Sequence, residues 1–325
     1  METMGPYHIE NGLISRRLGF NSELRSLRAS ALASEPKPRL VGGLIVKNEA
    51  KHIGRALEFM TRVADCVVVI DNGSTDTTPD ICKSFPVVER VEHHPEQFHE
   101  GALRNRLLDI CRELGAQWVL GLDADEVLEE QIIAEMPALL RPMDPWIDAY
   151  AFKILNFWRG EQAFRVDGKW QPSLKIRLFR LRPHHVCNMR PYHVDMNPIN
   201  MHWKQVRVSS VRLLHYGYAD YEDARRKHDF YVANEKDGVE DYSHLVDEAG
   251  LELETYQSEA DMGRIDERAT ARFLRECFFA GRWLRSCNRK EADAVTRAFR
   301  EGCEAPAVTR ALTLGRALNP FGGKS

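Results

Sequence analysis

Two aspartates spaced i, i+2 stand at the end of a short apolar run, Val119-Leu120-Gly121-Leu122-Asp123-Ala124-Asp125-Glu126. Alternate residues of an extended segment share a face, so both carboxylates can point at one ligand. Two hard oxygen donors in that arrangement suit a divalent cation such as Mg2+ or Mn2+, which would in turn hold a diphosphate. Asp-x-Asp also arises by chance in acidic loops, so the surrounding chain has to carry the argument. Glu126, directly behind the pair, reads as a supporting partner of the ligands.

The elements that would position this pair are legible upstream. Leu40–Val46 reads as a buried strand that ends in Lys47-Asn48-Glu49, followed by a helical pattern with Ile53, Ala56, Leu57 and Met60 on one side. Residues 66–70 form a second apolar run that ends in Asp71-Asn72-Gly73-Ser74-Thr75-Asp76, where Thr75 or Asp76 can cap the next helix. Continuous apolar runs alternating with helices predict a parallel sheet covered on both faces. Ligands bind such sheets at the carboxyl ends of the strands, and Asn48, Asp71 and Asp123 would all sit there. Residues 98–114 predict an amphipathic helix with 103, 107, 110, 111 and 114 apolar, leading through Gly115 to the strand before Asp123.

After Asp125 the pattern predicts a helix near 129–140, bounded by Pro142 and Pro145, then a change to period two. Residues 147–158, 173–180 and 206–215 read as longer strands, with turns at Arg159-Gly160 and Asp167-Gly168. From Tyr218 the chain is helical in pattern almost to Asn319-Pro320, and residues 1–38 read as a polar arm with helical character around 21–32.

Four segments in order, Ile45-Val46-Lys47-Asn48-Glu49, Val69-Ile70-Asp71-Asn72-Gly73-Ser74-Thr75-Asp76-Thr77-Thr78, Leu103-Arg104-Asn105 and Leu122-Asp123-Ala124-Asp125-Glu126, resemble family 2 glycosyltransferases. The resemblance is strong over residues 40 to about 130, with a weaker echo to Leu214-His215-Tyr216-Gly217. It implies an α/β, GT-A (Rossmann-like) mixed sheet flanked by helices. Residues 39–217 would be the transferase domain, divided into a nucleotide-sugar half (39–130) and an acceptor half (131–217). The arm at 1–38 would precede it and a helical region at 218–325 would follow.

The activity implied is metal-dependent, inverting transfer of a sugar from a nucleotide-diphosphate sugar, a UDP-sugar first, to a hydroxyl of a glycan, lipid-linked or protein acceptor. By the same resemblance Asn48, Glu49, Asp71, Arg104, Asn105 and Asp123 would contact the donor. Asp123, Asp125 and His215 would hold Mn2+ or Mg2+. Asp195, in Tyr192-His193-Val194-Asp195, would be the base that takes the acceptor proton, with His193 as the fallback. Relatives often carry His-Glu here, and this chain has His-Val-Asp.

Each residue also has a plainer reading. Asn48 and Asp71 suit turns, Arg104 and Asn105 an exposed helix face, and His215 a structural hydrogen bond. Lys175 and Arg177 are either a solvated strand face or a receiver for an anionic diphosphate or acceptor. Trp170 either stacks on a sugar or packs in the core. Two other functions share the scaffold. A sugar-1-phosphate nucleotidyltransferase needs a Gly-rich phosphate loop where this chain has Lys47-Asn48-Glu49. A non-catalytic sugar-nucleotide or glycan-binding protein has no need of an intact Asp123-Ala124-Asp125.

Composition narrows the classes further. With 325 residues the chain can bury a sizeable core, and its formal net charge of −3 gives no reason to expect nucleic acid as partner. No run approaches a membrane span, and the N-terminus lacks the apolar core of a secretory signal. Seven cysteines without C-x-x-C spacing predict free thiols in a reducing compartment. The expectation is a cytoplasmic protein, at most peripheral at the inner membrane face. Residues 264–325 hold thirteen Lys and Arg against seven Asp and Glu. Phe273, Leu274, Cys277, Phe278, Gly281 and Leu284 share one broad helical face there. Such a helix lies on an anionic membrane, docks on the catalytic domain or pairs in a homodimer.

Overall fold

Alternate side chains of the run at 66–71 enter two different cores. Val67 and Val69 pack with Leu57, Met60, Trp118 and Leu120, whereas Cys66, Val68 and Ile70 pack with Leu107, Ile110 and Val119. A strand buried on both faces has no solvent side, which is why the run shows no polar alternation. The computed structural model describes residues 7–10, 13–16, 35–95, 98–142, 146–170, 173–201, 206–234 and 241–258. The helices expected at 21–32 and from 264 lie outside them.

The strands are β1 (Tyr7–Glu10), β2 (Leu13–Arg16), β3 (Leu40–Val46), β4 (Cys66–Asp71), β5 (Val88–His93), β6 (Trp118–Gly121), β7 (Glu126–Leu128), β8 (Ala149–Asn156), β9 (Ala163–Arg165), β10 (Ser173–Arg180), β11 (Val206–His215) and β12 (Leu253–Thr255). The helices are α1 (Ile53–Val63), α2 (Thr78–Ser84), α3 (Glu100–Glu113), α4 (Ile132–Leu140) and α5 (Tyr221–Asn234). Eight strands form one mixed sheet in the order β5-β4-β3-β6-β10-β8-β11-β7. Helices α1 and α4 cover one face and α3 covers the other. This is the α/β mixed sheet flanked by helices that the sequence implies.

Strand direction decides what meets at the functional edge. β3 runs parallel to β4 and β6, β10 is antiparallel to both β6 and β8, and β11 is parallel to β8. β11 therefore runs the same way as β6, and its last residue, His215, emerges at the same edge as Asp123. Short β7 folds back after the aspartates and pairs His215 with Glu126.

The structure adds elements that the pattern did not show. β5 is an edge strand in a half-polar segment, and β7 is too short for periodicity to register. Residues 251–256 alternate with period two and hold β12 against β9, so this described stretch departs from the helical reading. β1 and β2 pair antiparallel, with Glu10 opposite Leu13. Among the described residues, no helix is long and apolar enough to cross a membrane.

The segment at 181–201 has neither strand nor helix and is tied to α3. Asn105 donates to the Cys187 carbonyl and accepts from the Cys187 amide, and Arg112 donates to the His185 carbonyl. His185 is buried, and desolvation, with His184, Arg112 and Arg182 adding repulsion, lowers its pKa to about 3. Because the folded pKa lies below the ordinary value near 6.5, the folded state binds fewer protons than the unfolded chain across that interval. This contribution is present above pH ~6.5 and is lost as pH falls toward about 3, with a slope of up to ~1.4 kcal/mol per unit. His185→Gln should remove that part of the acid sensitivity. Urea midpoints measured between pH ~7 and ~5 that fall equally in mutant and wild type would refute it.

Candidate functional site

Asp123 and Asp125 leave β6 on alternate positions and meet different cations. Asp123 accepts from Arg177 Nη2 at 2.9 Å, lies 3.6 Å from Arg104 Nη2, and its amide donates to Glu126 Oε2 at 3.0 Å. Arg177, itself buried, also donates to Glu126 Oε1 at 2.6 Å. Burial alone would raise the Asp123 carboxyl, but Arg177 and Arg104 outweigh it and hold the group below the usual range. Asp125 is buried, and its Oδ2 pairs with the Lys227 ammonium and lies 3.3 Å from His215 Nε2. Against the same burial penalty, Lys227 and His215 hold this carboxyl well below the usual range. His215 Nδ1 lies 2.7 Å from Asn156 Oδ1, which fixes the ring.

The first two strand-to-loop transitions clasp each other. Asn48, in the left-handed region at φ 55°, accepts from Thr75 N at 2.7 Å, and its amide donates to Ser74 Oγ. Asp71 is buried, accepts from Ser74 N at 3.1 Å and lies 2.7 Å from His93 Nδ1. Asn48 and Asp71 therefore carry the turn chemistry of their plainer reading, at the sheet edge where donor contacts were expected. Asp76 accepts from Thr78 N at 3.0 Å and so serves the start of α2. Glu49 differs from these. Burial, then the nearby Asp125 charge, raises its carboxyl to about 7, and its Oε2 is buried with no hydrogen-bond partner.

The segment at 187–197 brings the proposed base to the same edge. Val194 N donates to Glu100 Oε2 at 2.9 Å, and Glu100 also pairs with Arg104. Met196 packs where Gly121 has no side chain, since a Cβ there would overlap it. Asp195 is held between these anchors, with its side chain 63% exposed and Lys175 Nζ at 3.0 Å. Desolvation works against its ionisation, yet Lys175, with Arg177 and Arg104 behind, keeps its pKa below the usual value. His193 is exposed, lies 2.5 Å from Tyr242 Oη and stacks on its ring. Trp170 packs edge-on against Trp158 and Tyr218 and is buried, so its core reading holds. Asn105 is tied to the 187 loop and Arg104 is buried, so neither lies on an exposed face.

The residues expected to hold a divalent ion do not fit one in this arrangement. Asp125 Oδ2 already carries an ammonium and an imidazole, and the Asp123 oxygens face two guanidinium groups. Among the described residues, no three His, Cys, Asp or Glu side chains are grouped as a metal site.

Lys227 had no sequence signal of its own, and Gly217 entered only as the last residue of the weaker echo. Lys227 lies on α5 and reaches Asp125 across 102 residues of chain. A Cβ on Gly217 would overlap Lys227 Nζ and Asp125 Oδ2 and come within 2.8 Å of His215 Nε2, so the absent side chain leaves room for all three. Gly217→Ala should force them apart at an expected loss of about 1–3 kcal/mol, the usual penalty of overpacking. An unchanged urea midpoint would show that the three do not converge there.

Residues 43–197 match the family described as Glycosyl transferase family 2. The chain is 25% identical over 192 residues to the SPbeta prophage-derived glycosyltransferase SunS of Bacillus subtilis, covering 54% of this chain and 44% of that one. It is 32% identical over 135 residues to an uncharacterized glycosyltransferase of Rickettsia typhi, covering 41% and 44%. It is also 30% identical over 114 residues to the lipopolysaccharide core biosynthesis glycosyltransferase LpsC of Rhizobium meliloti, covering 34% and 40%. The chain thus spans less than half the length of these curated relatives. Among solved structures, S. aureus TarS aligns over 64% of this chain and 41% of its own, with a TM-score of 0.39 and 16% identity. TarS 1-349 in complex with UDP-GlcNAc gives a TM-score of 0.38 at 15% identity, over 64% and 69%.

Proposed function

Because the chain belongs to glycosyl transferase family 2 through residues 43–197, we propose that the edge around Asp123 and Asp125 binds a nucleotide-diphosphate sugar, a UDP-sugar first. The sugar passes with inversion to an acceptor hydroxyl of a glycan, lipid-linked molecule or protein. The acceptor oxygen forms its bond to the anomeric carbon as the bond from that carbon to the diphosphate oxygen breaks. The electron pair leaves with the nucleoside diphosphate, and the hydroxyl proton goes to Asp195. Residues 39–130 supply the donor contacts, with Asp71 at the nucleotide, and residues 131–217 supply the base.

One observation carries this reading: Asp123 and Asp195 lie in the field of the same two buried guanidinium groups, Arg177 and Arg104. Cations at that point favour a leaving group on which negative charge develops. The Asp195 side chain is 63% exposed beside Lys175, so an acceptor hydroxyl can reach it.

A panel of nucleotide sugars tested by thermal shift checks the donor class, since a ligand at 100 times its Kd stabilises a fold by ~2.7 kcal/mol. A UDP-sugar is expected to raise the melting temperature and to be consumed when acceptors are added. If no nucleotide sugar shifts the transition, the donor reading is wrong. A shift without consumption would favour the sugar-nucleotide-binding alternative.

A further inference from the structure

We propose that the ammonium of Lys227, rather than a divalent metal ion, is the cation that meets the donor diphosphate at Asp125. This rests on reading the edge as the donor site.

The placement of Lys227 is built into the fold. The first turn of α5 and Asp220 just before it are fastened to the segment before α1 by Lys51 to Asp220 at 2.8 Å, Lys51 to Asp223 at 2.7 Å and His52 to Asp223 at 3.1 Å. Arg226, the neighbour of Lys227, donates to the Asn48 carbonyl at 2.7 Å. These ties lay α5 across the loop that follows β3, and Lys227 extends from it to Asp125. Its ammonium lies 5.1 Å from the Tyr218 ring centroid, a second favourable contact for a cation. Gly217 leaves the space in which lysine, aspartate and histidine meet.

The chemistry of the cluster suits an ammonium better than a metal. An ion on Asp125 Oδ2 would share that oxygen with a positive charge, and the repulsion in a buried setting is strong. Asp123, the other expected ligand, already faces Arg177 and Arg104. A lysine binds phosphate as a point charge with three N–H donors. Asp125 takes one of them, and the lysine side chain, 22% exposed, is not sealed from solvent. When the diphosphate leaves, this positive charge stands where negative charge develops.

Calorimetry on the full chain with UDP, GDP, CDP and dTDP, each in EDTA and in Mn2+, tests the proposal. One of these nucleotides is expected to bind wild type in EDTA with a Kd within about threefold of that in Mn2+. Lys227→Met should weaken that binding by about 10- to 100-fold in EDTA, the size of a lost charge-assisted hydrogen bond, and Lys227→Arg should restore most of it. Mn2+ titrated alone should show no binding to wild type. If Lys227→Met does not fold because Asp125 is left unpaired, the double variant Asp125→Asn/Lys227→Met removes both charges and should fold yet still bind weakly. Wild type that binds a nucleotide only with Mn2+ keeps the donor site and overturns the lysine. So does Lys227→Met with unchanged affinity. No binding in either condition overturns the donor reading and the lysine with it.

Discussion

Asp195→Asn is expected to lower turnover by about 10²–10⁴, the usual contribution of a positioned general base, while nucleotide affinity stays within about twofold, since the proposed base serves the acceptor and not the diphosphate. The structure gives this expectation a pH signature. Lys175 Nζ lies 3.0 Å from the carboxylate and helps hold its pKa below the usual range, so Asp195 is ionised and ready to accept a proton at neutral pH. Lys175→Met removes that cation, and the acid limb of the kcat/KM profile should move to higher pH. Steady-state kinetics across the acid range on both variants decide the matter. Near-normal transfer by Asp195→Asn would remove it from the mechanism. The search would then turn to His193, the fallback, whose Nε2 meets Tyr242 Oη at 2.5 Å.

The largest stability effect is expected at Arg177. Its guanidinium bridges Glu126 at 2.6 Å and Asp123 at 2.9 Å, and the side chains of Arg177 and Glu126 are 5% and 2% exposed. Arg177→Met leaves a carboxylate buried without its partner, a change that typically loses about 3–5 kcal/mol. Nucleotide affinity should fall as well, because Asp123 loses its nearest counter-charge. Glu126→Gln combined with Arg177→Met should recover part of the stability and none of the affinity, since the neutral amide relieves only the buried charge. Urea unfolding of the two single variants and the double gives the coupling directly. A loss below ~1 kcal/mol for Arg177→Met, the value of an exposed pair, would mean that the bridge does not hold the edge.

The sequence alone determined strands β3, β4 and β6, helices α1 and α3, and the sheet edge at which they end. Buried runs at Leu40–Val46 and 66–71 and the helix at 98–114 are local periodicities, and a strand end followed by Asp-x-Asp is a local spacing. Such signals reflect each segment's own demand for burial, so they survive without knowledge of what lies opposite. The same holds for the three longer strands of the second half, which formed where period two appeared.

Only the tertiary structure decided which groups complete the site. Lys175 and Arg177 alternate with apolar neighbours and read as one face, yet only Lys175 is open to solvent. The pairing of β10 with β8 slips between Ile176 and Leu178, so Arg177 is the extra residue of an irregular register and enters the interior instead. One such residue defeats any argument from period two. Lys227 reaches Asp125 because β11 runs the same way as β6 and delivers α5 to the same edge. Asn105 turns inward because a loop 82 residues later offers its backbone. Ion pairs and register shifts across such separations leave no periodic trace, because the energy that selects them exists only once the sheet has closed.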